Sequence, residues 1–265
     1  MKQALVFDSG VGGLSVCDAI AQAKLTVRLD YLADTAWLPY GDKPDAALQA
    51  RVPALIAQAV GRLAPDAVVL ACNTASTLAL DRVRAAVSVP VVGVVPPIKP
   101  AAAASRSGVI AVLATPATVR RAYIDDLIDR FAAGTHVRRV GSTALVTAAE
   151  ATLAGRAPEA SDIAPALEAV FSGEAGARVD AVALGCTHFP LVLEALRARA
   201  PRPVAWFDPG PAVARRLSDV LALDAHGAPQ FGTAFFTAPE AGEPRTAFTR
   251  RGFALQIWNA PAASA

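Results

Sequence analysis

Short runs of β-branched and aliphatic residues alternate with alanine-rich stretches along most of the 265-residue chain, and this alternation restricts the fold more than any other feature. Strand-length apolar runs fall at 4–7, 27–32, 67–71, 91–95, 108–113, 136–140, 181–184 and 204–207. Between them, helical periodicity runs over 14–23, 46–63, 75–87, 118–131, 144–153, 163–171, 191–199 and 212–223. Strands spaced by helices predict an α/β protein whose sheets are mostly parallel and flanked by helices, because a parallel connection needs a crossover of that length.

The alternation also repeats on a larger scale. A strand and polar loop, FDSGVGG, places Asp8 64 residues before Cys72, and a second strand and loop, LATPAT, places Ala114 72 residues before Cys186. Two related halves are therefore expected, with the active site in the cleft between them. Pro96, Pro97 and Pro100 break the pattern and mark one crossing, and Pro209 to Pro211 marks the return. The expected domains are 1–97 with 209–265, and 98–208. The C-terminal stretch shows weak periodicity only at 234–237 and 253–258, carries no expected function, and is expected to fray over 260–265.

Charge and composition exclude several classes of partner. With 25 basic and 23 acidic residues the net charge of +2 leaves no electrostatic footprint for nucleic acid. The mean hydropathy of +0.39 owes much to alanine. No run approaches the ~18 apolar residues of a membrane span, and the N-terminus lacks a secretory pattern. Three widely spaced cysteines, Cys17, Cys72 and Cys186, do not form a disulfide framework, so a soluble protein of the reducing cytoplasm is expected.

Two of those thiols stand in chemically pointed contexts. ACNTAS (71–76) and GCTHFP (185–190) each put a cysteine directly after an apolar strand, where a helix is expected to begin. Ligands of open α/β sheets bind at that edge, and a helix N-terminus is expected to pull a thiol below its reference pKa of about 8.5. Cys17 instead falls in the apolar stripe of the first helix and reads as core filler. Asp8 and Ser9 offer a carboxylate for an ammonium and a hydroxyl for a carboxylate, against the plainer reading of turn chemistry. The Pro39-Tyr40-Gly41 turn is expected to present backbone donors and a phenol to an anion, and His188 stands two residues beyond Cys186 as a proton-transfer partner.

Cofactor patterns fare poorly. The glycine loop lacks the third glycine of a dinucleotide fingerprint, where Ser15 stands, and the lysine of a P-loop. A zinc site of Cys72, Cys186 and His188 would want a fourth ligand, and none of the four lysines has a Schiff-base context, so neither metal nor organic cofactor is expected. Two acid–base groups in related halves suit a reaction in which one face of a carbon loses a proton and the other gains one, which is racemisation. Asn73, Thr74 and Thr187 would meet the charge that develops on a carboxylate.

FDSGVGGLSV (7–16), DTAWLPYGDK (34–43), VVLACNTAS (68–76), VVGVVPPIKPA (91–101), LATPATV (113–119) and ALGCTHFPL (183–191), in this order, resemble the glutamate racemase family. The resemblance implies a cofactor-independent, two-base interconversion of L- and D-glutamate that supplies D-glutamate for peptidoglycan. It implies that Cys72 works on the D-enantiomer with Asp8, and Cys186 on the L-enantiomer with His188. It also implies glutamate contacts at Asp8, Ser9, Tyr40, Gly41, Asn73, Thr74, Thr187 and His188, acidic positions near the cleft at Asp34 and Glu150, and a homodimer. The chain departs from the family at Gly141-Ser142, where many members carry Cys-Pro, and at Pro97, where alanine is usual. A related aspartate racemase, or a binding module that keeps the fold without turnover, are the rival readings.

Overall fold

The computed structural model describes residues 1–239 and 245–259. It divides into two compact units, Met1–Val94 with Gly210–Ala265, and Val95–Pro209.

The first unit opens with β1 (Gln3–Asp8), α1 (Leu14–Gln22), β2 (Arg28–Ala33), α2 (Asp45–Leu63), β3 (Ala67–Leu70), α3 (Asn73–Ala86) and β4 (Val91–Gly93). The second runs through α4 (Ile98–Ala104), β5 (Val109–Ala114), α5 (Pro116–Val119), α6 (Ala122–Phe131), β6 (His136–Gly141), α7 (Ala144–Leu153), α8 (Ala160–Phe171), α9 (Gly173–Arg178), β7 (Ala181–Leu184), α10 (Leu193–Arg199) and β8 (Ala205–Phe207). The chain then completes the first unit with α11 (Gly210–Leu221), β9 (Gln230–Phe236), α12 (Thr246–Arg251) and β10 (Ala254–Ile257).

Each unit holds one sheet, ordered β10-β9-β2-β1-β3-β4 and β6-β5-β7-β8, and every ladder in both is parallel. Counted within its own unit, each sheet contains the strand order second-first-third-fourth. The repeat read from the sequence is thus a repeat of topology, to which the first unit adds β9 and β10. Central strands β1, β3, β5 and β7 are buried almost throughout, which is why they read as unbroken apolar runs: helices cover both faces of a parallel sheet. In the first unit Leu5, Phe7, Leu32, Val68 and Leu70 pack under α2 and α3. In the second, Leu113, Val182 and Leu184 pack under α7 and α8.

Several elements differ from the sequence expectation. The stretch 118–131 breaks into α5 and α6, and α4 forms although Pro100 stands in it. Pro100 is the third residue of α4, where its missing N–H has no helical acceptor to lose. The C-terminal stretch forms β9, α12 and β10, with Phe235 edge-on to Trp258 at 5.3 Å. Residues 260–265, expected to fray, lie outside the described residues. Among the described residues no helix is long and apolar enough to cross a membrane.

Candidate active site

In the first unit the C-terminal edge of three adjacent parallel strands gathers Asp8, Asp34 and Cys72. The Asp34 N–H donates to the Asp8 carbonyl (2.9 Å), and the Ala71 N–H donates to that of Phe7 (2.8 Å), so the sheet ladder itself fixes their spacing. Cys72 caps α3: its sulfur accepts from the Ala75 N–H at 3.5 Å and lies 3.7 Å from Ser9 Oγ. Asp8 Oδ2 accepts the Gly13 N–H at 2.9 Å, so the turn chemistry proposed as its plainer role is present, while Oδ1 has no hydrogen bond among the described residues. Asn73 is 4% exposed, and neither atom of its amide has a partner. A buried amide with both ends unpaired costs stability and marks a place where a polar ligand or water belongs. Thr74 is buried beside it.

The expectation of a lowered Cys72 pKa is overturned. Burial, and next the Asp8 carboxylate, push the thiol up to about 12, against the opposing bonds from Ala75 and Ser9. Cys72 therefore rests as a neutral thiol. Alkylation of Cys72, followed by peptide mass spectrometry, is expected to rise tenfold per pH unit without a plateau to pH 10, and to quicken in Asp8→Asn because a negative neighbour is gone. A plateau near pH 8.5 in the wild type would contradict this. Cys17 is wholly buried and its thiol is raised further, as suits a core position.

A second correction concerns Tyr40. Its phenol was expected to face an anion, but it donates to Asp34 Oδ2 at 2.7 Å and is buried. Burial, and then the Asp34 charge, hold that phenol protonated. Asp34, wholly buried, also accepts from Arg51 Nε and Nη2, each at 2.7 Å, and from Thr237 Oγ1 at 2.8 Å. Four donors leave its carboxylate little capacity for a substrate, so Asp34 anchors the loop that carries Tyr40 and exposed Gly41. Arg51 and Thr237 also line a cavity of about 570 Å³ with Trp37 and Trp258, which none of the expected substrate residues line. Sequence reasoning missed both. Thr237 lies 203 residues from Asp34, in a stretch expected to do nothing, and Arg51 is one arginine on an alanine-rich helix.

In the second unit Cys186 follows β7 in the position Cys72 holds after β3. The Gly185 N–H donates to the Leu113 carbonyl (2.8 Å), and a Cβ on Gly185 would stand 3.0 Å from that of Ala114, so the strand end is tightly seated. No α-helix begins at Cys186, contrary to expectation: a 3₁₀ turn over Phe189–Val192 intervenes before α10. Pro190 removes an N–H from this first turn. Cys186 Sγ lies 3.8 Å from His188 Nδ1. On the other side of the ring, His188 Nε2 stands 3.7 Å from Glu150 Oε1, within ion-pair range but beyond hydrogen-bond distance, and has no hydrogen-bond partner. Ser142 Oγ accepts the Leu145 N–H (3.2 Å), which helps seat the start of the helix that carries Glu150, so the Gly141-Ser142 departure serves that helix directly. Thr187 is buried beside Cys186. Among the described residues no cluster of three or more His, Cys, Asp or Glu could hold a metal ion.

Comparison with known proteins places the chain in a family. The sequence pattern of the Asp/Glu/hydantoin racemase family matches residues 14–217. The chain is 48% identical over 243 residues to the glutamate racemase of Sphingopyxis alaskensis, covering 91% of this chain and 90% of that one. It is 43% identical over 259 residues to the glutamate racemase of Brucella canis, covering 96% and 92%. Among solved structures, Escherichia coli glutamate racemase in complex with L-glutamate and the activator UDP-MurNAc-Ala is similar with a TM-score of 0.83 at 36% identity, over 97% of each chain.

Proposed function

Because the chain belongs to the Asp/Glu/hydantoin racemase family, we propose that it interconverts L- and D-glutamate by a two-base mechanism using Cys72 and Cys186. The observation that carries the reading is the equivalence of the two thiols. Each follows the third strand of the second-first-third-fourth order the two sheets share, and each has a titratable group beside it, Asp8 for Cys72 and His188 for Cys186. The reading requires both thiols to reach one α-carbon, one on each face.

In the D-to-L direction, Cys72 as thiolate takes the α-proton and Cys186 as thiol delivers one to the opposite face. The product state then holds a Cys72 thiol and a Cys186 thiolate, and the reverse reaction starts from that state. The rest of the chemistry is electrostatic. Cys72 first has to lose a proton that burial and Asp8 hold tightly, and the ammonium of a bound amino acid beside Asp8 offsets the charge responsible. Asp8 accepts the thiol proton and passes it to solvent, and Cys72 regains a proton from the α-carbon. His188 does the same for Cys186, with Glu150 orienting its far nitrogen. The Asn73 amide and the Thr74 and Thr187 hydroxyls meet the charge that grows on the substrate carboxylate, where fixed donors lower the barrier most. Ser9, Tyr40 and Gly41 complete the substrate contacts, Tyr40 through its backbone because its phenol is committed to Asp34. The D-glutamate formed would supply peptidoglycan synthesis in the cytoplasm, and the working form would be a homodimer.

Equilibrium constrains the test. Enantiomers have equal free energies, so kcat/KM must stay equal in the two directions in every variant, and direction-specific effects show in isotope effects instead. Asp8→Asn slows proton transfer at Cys72. The primary deuterium effect on kcat/KM is expected to grow with α-deuterated D-glutamate and shrink with the L-enantiomer. His188→Asn is expected to do the reverse. The same response from both variants would contradict the assignment of one helper to each thiol.

A further inference from the structure

One residue that contacts Asp8 belongs to none of the six motifs. Tyr31 sits in β2, in register with Val6 of β1, and the pleat sends Val6, Tyr31 and Asp8 to the same face of the sheet. Its ring is wholly buried and wedged edge-on by Phe248 at 4.9 Å and Phe253 at 6.2 Å. Its hydroxyl donates to the Gly10 carbonyl at 2.9 Å and reaches Asp8 Oδ2 at 3.5 Å. Oδ2 is the oxygen already tied to the Gly13 N–H. A Cβ on Gly13 would stand 2.6 Å from this hydroxyl and 3.1 Å from Asp8 Cβ, so the space around the contact is filled.

We infer that Tyr31 is a positioning residue for the reaction. Its phenol holds the Asp8 loop at Gly10 and faces Oδ2, which leaves Oδ1 as the oxygen that exchanges a proton with Cys72. This rests on the role of Asp8 proposed above. A side chain too deep to touch substrate thereby sets which carboxylate oxygen is available, and the aromatic cluster from the C-terminal part of the chain holds the ring in place. Three observations carry it together: the hydroxyl bonded to the loop, the closed space at Gly13, and the unshared second oxygen of Asp8.

Tyr31→Phe tests this by deleting one oxygen while the rings stay packed. It is expected to lower kcat/KM about tenfold, equally in both directions. The deuterium effect should rise with D-glutamate and fall with L-glutamate, as in Asp8→Asn. In an Asp8→Asn background the same change should alter the rate less than about twofold, because the group it acts through is gone. Phe253→Leu, which keeps the hydroxyl and the nearer Phe248 contact, should lower the melting temperature and move the isotope effects in the same direction as Tyr31→Phe but by less. If Tyr31→Phe does not fold, 3-fluorotyrosine placed at position 31 keeps ring and hydroxyl and should raise the D-glutamate isotope effect by a smaller amount. Wild-type rates and isotope effects in the folded variant, or losses that multiply in the double variant, would overturn the inference and leave the racemase reading standing. A wild-type chain that cannot exchange the α-proton of glutamate would overturn that reading, and this inference with it.

Discussion

Cys72→Ser and Cys186→Ser are each expected to lower glutamate racemisation by about 10³- to 10⁴-fold while the protein stays folded, because each removes one general acid–base group. A serine hydroxyl is close in size to the thiol and enters a small polar space in each case, beside Ser9 and the Ala75 N–H at position 72 and beside His188 at position 186. The loss therefore comes from acidity. A hydroxyl is a far weaker acid than a thiol, and its anion at Cys72's position would meet the burial and the Asp8 charge that already push the thiol to about 12. The two variants should fail differently. Cys72→Ser keeps the thiol that works on L-glutamate, so solvent deuterium should enter L-glutamate slowly without inversion. Cys186→Ser should show the same with D-glutamate. Racemisation within tenfold of wild type in both variants would remove the two-base assignment.

Arg51→Ala should have the largest effect on stability, about 3 kcal/mol. Asp34 is wholly buried, and Arg51 supplies two of its four hydrogen bonds and its countercharge. Truncating one member of such a pair leaves an uncompensated buried charge, with only the Tyr40 and Thr237 hydroxyls to receive it. For a unit of this size the melting temperature should fall by roughly 6–12 °C. Arg51→Lys should recover only part of this, since an ammonium does not supply the parallel pair of N–H donors that guanidinium presents. The exposed Arg84–Asp81 pair at 3.4 Å is the control, and its loss should move the melting temperature by less than about 2 °C. An Arg51→Ala variant that melts like wild type would contradict the assignment of Arg51 as the countercharge that Asp34 depends on.

How much of this was legible in the sequence depended on how local its cause was. Parallel strands buried on both faces must be apolar runs, so β1, β3, β5 and β7 were readable, and with them the positions of Asp8, Cys72 and Cys186 at strand ends. Partnerships across the fold were not. Nothing in the spacing of Tyr40, Arg51 and Thr237 announces that all three converge on Asp34, and the Tyr40 phenol was therefore assigned to an anion it does not face. The thiol of Cys72 was misjudged for a related reason: the helix terminus is visible in sequence, whereas the burial and the nearby carboxylate that outweigh it depend on packing. β9 and β10 were faint because their partly exposed residues give no unbroken apolar run, and sheet pairing rather than intrinsic pattern decides their state.

The most direct measurement is α-proton exchange by NMR, with purified protein free of metal and pyridoxal in D₂O, offered L-glutamate, D-glutamate and L-aspartate in turn, with optical rotation followed in parallel. Deuterium should enter the α-position of both glutamate enantiomers as the rotation decays to zero, and aspartate should remain unchanged. A glutamate α-proton that stays in place from both enantiomers, with optical rotation preserved, would contradict the account at its centre.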